Sequence, residues 1–237
     1  MGKHKTIGLA NLIKKAFPNG TPQTRTYTVE GMGLVSEGNA PVIIRTFRLF
    51  WGVPCDEIGF SNFWIRFEGY ANKMPWDGFA GSEGTYLPKA RNIIHDAYLD
   101  SHKDYLALMM LDSDILFPPN LIDRLLEHNL PIVGGWYRDK KAPNHHPCVY
   151  DFLSEDDKGV ASWNARPAPG TGLERVDGMG AGCWLMKREV AEALGRSPYD
   201  LNSGGEDMKI SRKLMNLGIP LYVDWTLNCA HAGVGIT

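Results

Sequence analysis

The stretch Tyr105-Leu-Ala-Leu-Met-Met-Leu111 constrains the fold more than any other part of the chain. An uninterrupted apolar run of this length has no polar face, which is the pattern of a strand buried on both sides. Such strands belong to sheets covered by helices, and hence to the α/β class. The flanking segments agree. Residues 88–100 carry Ile93, Ile94, Ala97 and Tyr98 at helical spacing. Pro118-Pro119 opens a helix at 120–128, where a proline near the first turn is tolerated. Residues 42–44, 130–133, 183–186 and 221–223 read as further strands, the second ending at Gly134-Gly135. Residues 56–70, 187–194 (closed by Gly195) and 206–217 (closed by Gly218) read as further helices. Residues 145–177, with Pro167 and Pro169, read as loop. The expectation is one mostly parallel α/β domain over 41–237, with ligands at the carboxyl ends of its strands. Residues 1–40 form an irregular extension, with Leu9, Leu12, Ile13 and Phe17 helix-spaced before Pro18-Asn19-Gly20.

Composition excludes several classes. The 237 residues hold 25 Lys+Arg and 27 Asp+Glu, a net charge of −2. The balance is uneven: residues 1–29 carry five bases (Lys3, Lys5, Lys14, Lys15, Arg25) and no acid. An acidic body argues against a broad nucleic-acid-binding surface. With 43% hydrophobic and 22% charged residues, the chain has an ordinary globular balance and not a disordered one. No apolar run approaches the ~20 residues of a transmembrane helix. Residues 7–13 are too short for a secretory signal, so a cytoplasmic protein is expected. Cys55, Cys148, Cys183 and Cys229 form no CxxC pair and suit free thiols in a reducing compartment. His145-His146-Pro147-Cys148 lacks a second ligand pair and reads as loop, not as a zinc site.

The most informative segment follows the apolar run: Asp112-Ser113-Asp114, then Ile115-Leu116-Phe117-Pro118-Pro119. Two unpaired carboxylates buried there would cost several kcal/mol. At the strand's carboxyl edge a divalent cation offsets them. In an extended segment Asp112 and Asp114 face one way and Ser113 the other. Oxygen ligands of this kind suit Mg²⁺ or Mn²⁺, either of which can bridge a diphosphate. The plainer reading is a turn with a helix cap.

At these residues the sequence resembles the GT-A-fold glycosyltransferases, in particular the small family 2-like members of bacteria and phages. Four segments carry the resemblance in order from about Pro41 to the C-terminus. They are Leu87-Pro-Lys-Ala-Arg91-Asn92, Asp112-Ser113-Asp114, the glycine-rich Gly178-Met-Gly180-Ala-Gly182-Cys-Trp-Leu-Met186, and Gly204-Gly205-Glu206-Asp207 followed by Cys229-Ala-His231.

The resemblance implies a GT-A-like (Rossmann-like) sheet flanked by helices. It also implies a metal-dependent transfer of a sugar, of hexosyl type, from a nucleotide-diphosphate sugar (a UDP-sugar favoured) to an acceptor hydroxyl. Mn²⁺ or Mg²⁺ would be held by Asp114 and Asp112, with His231 either a third ligand or an ordinary polar residue of the tail. The donor would meet Arg91, Asn92, Asp112, Ser113, Asp114, Gly180 and Trp136. Trp136 is the aromatic best placed, beside a glycine pair, to stack on a sugar. Arg91 either pairs with phosphate or with a carboxylate of a helix surface. Asp207 would act as base in an inverting mechanism, supported by Glu206; a helix-dipole role for this pair is the alternative.

The sequence departs from the family at its start, where roughly 40 residues precede the first strand and Arg45-Thr46-Phe47-Arg48 stands in place of the base-reading loop. The acceptor stays open among a glycan, a lipid-linked sugar, a protein and a modified DNA base, as does the oligomeric state. A nucleotidyltransferase or sugar-nucleotide pyrophosphorylase would want a glycine-rich basic phosphate loop, for which Lys89 and Arg91 are a poor substitute. A non-catalytic carbohydrate- or nucleotide-binding module would not need Glu206-Asp207.

Overall fold

The computed structural model describes residues 35–37, 40–42, 48–55, 78–83, 86–140, 144–200 and 205–231. The helix expected at 56–70 and the extension up to residue 34 lie outside the described residues.

Two short strands, β1 (Val35–Glu37) and β2 (Ala40–Val42), pair with each other. The chain then supplies β3 (Arg48–Cys55) and β4 (Gly78–Glu83), helix α1 (Leu87–Asp100), and β5 (Tyr105–Leu111). Next come β6 (Ile115–Leu116), α2 (Leu121–His128) and β7 (Ile132–Trp136). After β8 (Val149–Glu155), β9 (Ala161–Ala165), β10 (Leu173–Val176) and β11 (Gly178–Met179) come β12 (Cys183–Lys187) and α3 (Arg188–Leu194). Helix α4 (Glu206–Asn216), β13 (Leu221–Asn228) and β14 (Ala230–His231) complete the described order.

The main sheet has seven strands in the order β10-β13-β7-β12-β5-β3-β4. β4, β3, β5, β7 and β13 run one way; β12 and β10 run against them. The class is therefore the expected one, α/β with a mostly parallel sheet. β5 sits inside it, and Leu108, Met109, Met110 and Leu111 are all fully buried. Alternation sends them to two cores. Leu108 and Met110 pack with Ile94 and Tyr98 of α1, Val190 of α3 and Ile210 of α4. Met109 and Leu111 pack with Leu121 and Leu125 of α2 and with Trp51 and Val133.

Several details differ from the sequence reading. Ile93 of α1 is exposed, and Ala90 and Arg91 take its place on the buried side. Gly134 and Gly135 lie inside β7 and do not end it. A Cβ at Gly134 would stand 2.4 Å from the Cys183 carbonyl oxygen, so the residue is small because β12 crosses close by. The segment 145–177 is not mainly loop. β8 and β9 form a hairpin that β11 extends to three strands, and β10 joins the edge of the main sheet.

Candidate functional site

Three chain segments converge where β5 leaves the sheet. Because β12 runs antiparallel to β5, the start of one meets the end of the other, and the Asp112 N–H donates to the Gly182 carbonyl at 2.9 Å. β5 ends at Leu111, and the Ile115 N–H returns to the Asp112 carbonyl at 3.0 Å. Asp112 to Ile115 is thus a turn, not the extended segment expected, and the two carboxylates have different partners. β14 pairs with β6 in a register that sets His231 opposite Ile115, which brings His231 beside Asp114. The third contribution is the start of α4. Gly205 adopts φ 83 at its N-cap, a left-handed conformation that favours glycine. Glu206 and Asp207 occupy the first turn, where the helix dipole favours negative charge.

Arg91 of α1 joins these segments. Its Nη1 donates to Glu206 Oε1 at 2.5 Å and to Asp207 Oδ1 at 2.6 Å. Its Nη2 donates to Asp112 Oδ2 at 2.9 Å and Oδ1 at 3.2 Å. The residue is 1% exposed. Of the two sequence readings, partner to carboxylates is the arrangement present. Burial opposes the Arg91 charge, but Asp112, Asp207 and Glu206 outweigh it and hold its pKa well above the ordinary value. Burial pushes Asp112 up, with Arg91 pulling the other way. Burial and the neighbouring Asp207 charge push Glu206 up to about 7.

Asp114 forms a second centre. Its Oδ2 accepts from the Lys140 ammonium and lies 3.3 Å from His231 Nε2. Burial would raise its pKa, but the hydrogen bonds and charges of His231 and Lys140 hold it down at about 2. His231 Nδ1 lies 2.7 Å from the Arg138 carbonyl. A carbonyl only accepts, so Nδ1 carries a hydrogen and donates it there, which leaves Nε2 directed at Asp114. A carbonyl held against the far ring nitrogen is what orients a metal-ligating histidine. One carboxylate oxygen and one imidazole nitrogen are ligand types that Mn²⁺ takes, but among the described residues no group of three or more His, Cys, Asp or Glu side chains is placed to hold a metal ion. Asp112, held by Arg91 through both oxygens, stands beside that pair.

The remaining candidates divide. Gly180 donates its N–H to the Cys148 carbonyl at 2.8 Å, and a Cβ there would meet Tyr137 Oη at 2.2 Å. Asn92 faces the protein: its Nδ2 donates to the Tyr199 carbonyl at 2.7 Å, and its Oδ1 accepts from the Tyr199 N–H at 2.8 Å. It thereby pins the chain upstream of α4. The Ser113 N–H points to the Pro54 carbonyl at 3.4 Å, and Ser113 is 7% exposed. Trp136 is in the core. Its Nε1 donates to the Trp225 carbonyl at 2.9 Å, and its ring packs against Trp225 and is 6% exposed.

Sequence reasoning missed Tyr137 and Lys140. The Tyr137 hydroxyl accepts the Gly182 N–H at 2.9 Å, and its ring meets His231 edge-on. Lys140 approaches Asp114 only through the return of the chain after β7, which no local pattern signals.

No family model and no curated protein sequence matches the chain. Among solved structures, the crystal structure of A197 from STIV is similar at 20% identity and a TM-score of 0.53, covering 78% of this chain and 85% of that one. The crystal structure of GalNAc-T7 with UDP, GalNAc and Mn²⁺ is similar at 15% identity and a TM-score of 0.45, covering 76% of this chain and 37% of that one. The likeness to A197 is one of fold, and this chain's own fold is an α/β sheet with the acidic turn at the end of an inner strand. Among the described residues no helix is long and apolar enough to cross a membrane.

Proposed function

We propose that the chain is a metal-dependent glycosyltransferase that moves a sugar from a nucleotide-diphosphate sugar, a UDP-sugar by preference, to an acceptor hydroxyl with inversion. The observation that carries this reading is the meeting, at one sheet edge, of the Asp112–Asp114 turn, the Glu206-Asp207 helix start and His231. Asp114 and His231 would hold Mn²⁺ or Mg²⁺, with Asp112 beside them. When bound, the metal would offset the charge of the leaving nucleoside diphosphate.

Asp207 is the base. Its side chain is 25% exposed against 11% for Glu206. Asp207 is thus the more open of the two to an acceptor, and Glu206, its pKa raised, stands behind it. In the reaction Asp207 takes the acceptor hydroxyl proton. The acceptor oxygen bonds to the anomeric carbon, and the bond from that carbon to the diphosphate oxygen breaks. Arg91 keeps the base pair and Asp112 in fixed relation throughout. Glycans, lipid-linked sugars, proteins and modified DNA bases all offer a suitable hydroxyl.

Release of UDP or GDP from a panel of nucleotide sugars, with and without Mn²⁺, tests the reading. Asp207→Asn is expected to lower turnover roughly 10²- to 10⁴-fold while Mn²⁺-dependent UDP binding persists. Asp114→Asn is expected to abolish both. A wild-type chain that neither binds UDP with Mn²⁺ nor releases nucleotide from any donor would refute it.

A further inference from the structure

The small sheet β11-β8-β9 lies beside the first turn of α4, and the face it turns there is aromatic. Its register sets Gly178 opposite Tyr150 and Phe152 opposite Trp163, and alternation puts all four on one face. The Trp163 indole reaches from β9 across β8 toward β11. A Cβ at Gly178 would stand 2.9 Å from its Cζ3 and 3.2 Å from the Met208 sulfur. The glycine is thus the space the ring occupies, and Met208 is the residue after Asp207. Phe152 is capped by the Arg212 guanidinium, 4.7 Å from its ring centre, and meets the Trp163 ring edge-on at 5.4 Å. Trp163 and Tyr150 stay half-buried. Burial first, and then Cys148, Asp139 and Asp207, raise the pKa of the Tyr150 hydroxyl, so it keeps its proton and can donate. The surroundings are acidic. Residues 145–177 carry six acids and three bases. Arg166 is engaged by Asp151 and Glu174, and Arg212 by Glu155.

We propose that the acceptor is an uncharged glycan, and that Trp163 and Tyr150 form the platform on which its sugar ring packs beside Asp207. The proposal rests on the reading of Asp207 as the base. A sugar ring has two characters: its C–H face is apolar and its rim carries hydroxyls. A flat aromatic face with a polar tip matches both. The charge balance narrows the class. Phosphate-bearing acceptors, such as a nucleic acid or a lipid diphosphate, are held through lysine and arginine. The arginines beside this face already pair with carboxylates. An uncharged sugar meets no repulsion from an acidic surface, and its hydroxyls can donate to carboxylates there. The Asp207 side chain, 25% exposed, stands one residue before the methionine that flanks the indole.

The first test needs no donor sugar. The full chain, carrying a fluorophore, is applied to an array of neutral, sulfated and phosphorylated glycans, and the strongest neutral glycan is taken to calorimetry. Neutral glycans are expected to dominate the array. Trp163→Leu keeps apolar cover over Gly178 but removes the flat ring. It is expected to weaken binding of that glycan roughly tenfold, the scale of one aromatic contact. Tyr150→Leu repeats the measurement if the first variant loses cooperative unfolding. Binding to charged glycans alone, or to none, overturns the proposal, as does binding that both variants leave intact. Tighter binding of single-stranded DNA or of phosphatidylglycerol vesicles than of any neutral glycan overturns it too, in favour of an anionic acceptor. Asp207→Asn separates the two levels: it is expected to keep glycan binding and to lose transfer to the same glycan. If transfer survives, the base assignment fails and the platform stands. If transfer is lost while Trp163→Leu leaves the KM for the glycan unchanged, only the platform falls.

Discussion

Arg91 is surrounded by more negative charge than it can cancel. One guanidinium faces Asp112, Glu206 and Asp207 within hydrogen-bond distance. Replacing it with methionine would leave three carboxylates without their cation, a change that costs about 3–5 kcal/mol for a buried pair. Arg91→Met is therefore expected to lose on that order in urea unfolding, and adding Asp207→Asn should recover part of it. A loss below about 1 kcal/mol would mean that water, not Arg91, solvates these acids. Lysine should serve poorly, because it lacks the planar fork that reaches two sides at once. The residue types of the site were legible in the sequence, since Asp112, Asp114, Glu206, Asp207 and His231 stand in segments with recognisable spacing. The partnerships were not: Arg91 and Glu206 are separated by 115 positions, and only the fold decides that they meet. Trp136 shows the reverse. Beside two glycines it reads as a sugar-stacking aromatic, but Gly134 makes room for the Cys183 backbone of β12 and Gly135 for Leu227 of β13 and for Cys229.

Helices and buried strands were the elements best read in advance. α1, β5 and α2 follow from apolar spacing, proline placement and an unbroken hydrophobic run. β8 was hidden because its burial falls off along its length without a period, whereas β9 does alternate, Ala161, Trp163 and Ala165 against Ser162 and Asn164, but over only five residues. Gly134 of β7 marks a close approach to the neighbouring strand. A methyl group at Gly134 would meet the Cys183 carbonyl oxygen at 2.4 Å and the Met179 side chain at 2.6 Å. The first is backbone of the neighbouring strand and cannot rotate away. Gly134→Ala should therefore lower stability by about 1–3 kcal/mol or more. Gly195→Ala is the contrast, since no atom lies within 4 Å of its added carbon and only its φ of 73 resists the change. Thermal unfolding of the two variants separates crowding from backbone strain, and a Gly134→Ala protein as stable as wild type would remove the close-approach argument.

For the whole molecule, the acidic site leaves a signature in the pH dependence of stability. Glu206 has its pKa raised from the ordinary 4.5 to about 7, first by burial and then by Asp207. Between those values the folded chain keeps a proton that the unfolded chain releases. Its contribution is complete below about 4.5, declines as pH rises to about 7, and is flat above that. The decline is on the order of 3 kcal/mol at 1.36 kcal/mol per pH unit. Glu206→Gln should flatten this limb in denaturant titrations between pH 5 and 8; an unaltered slope would assign the proton elsewhere. Asp114, with its pKa lowered to about 2, works in the opposite sense and loses its contribution only in strong acid. The strand directions have a further consequence. All the chemistry proposed here gathers where β5 ends and β12 begins, so the turns entering β5, β7 and β13 (around residues 101–104, 129–131 and 218–220) lie at the far edge of the sheet. That edge is a natural handle: a surface anchor, a fluorophore or a fused domain attached there would hold the molecule by its back and leave its mouth clear.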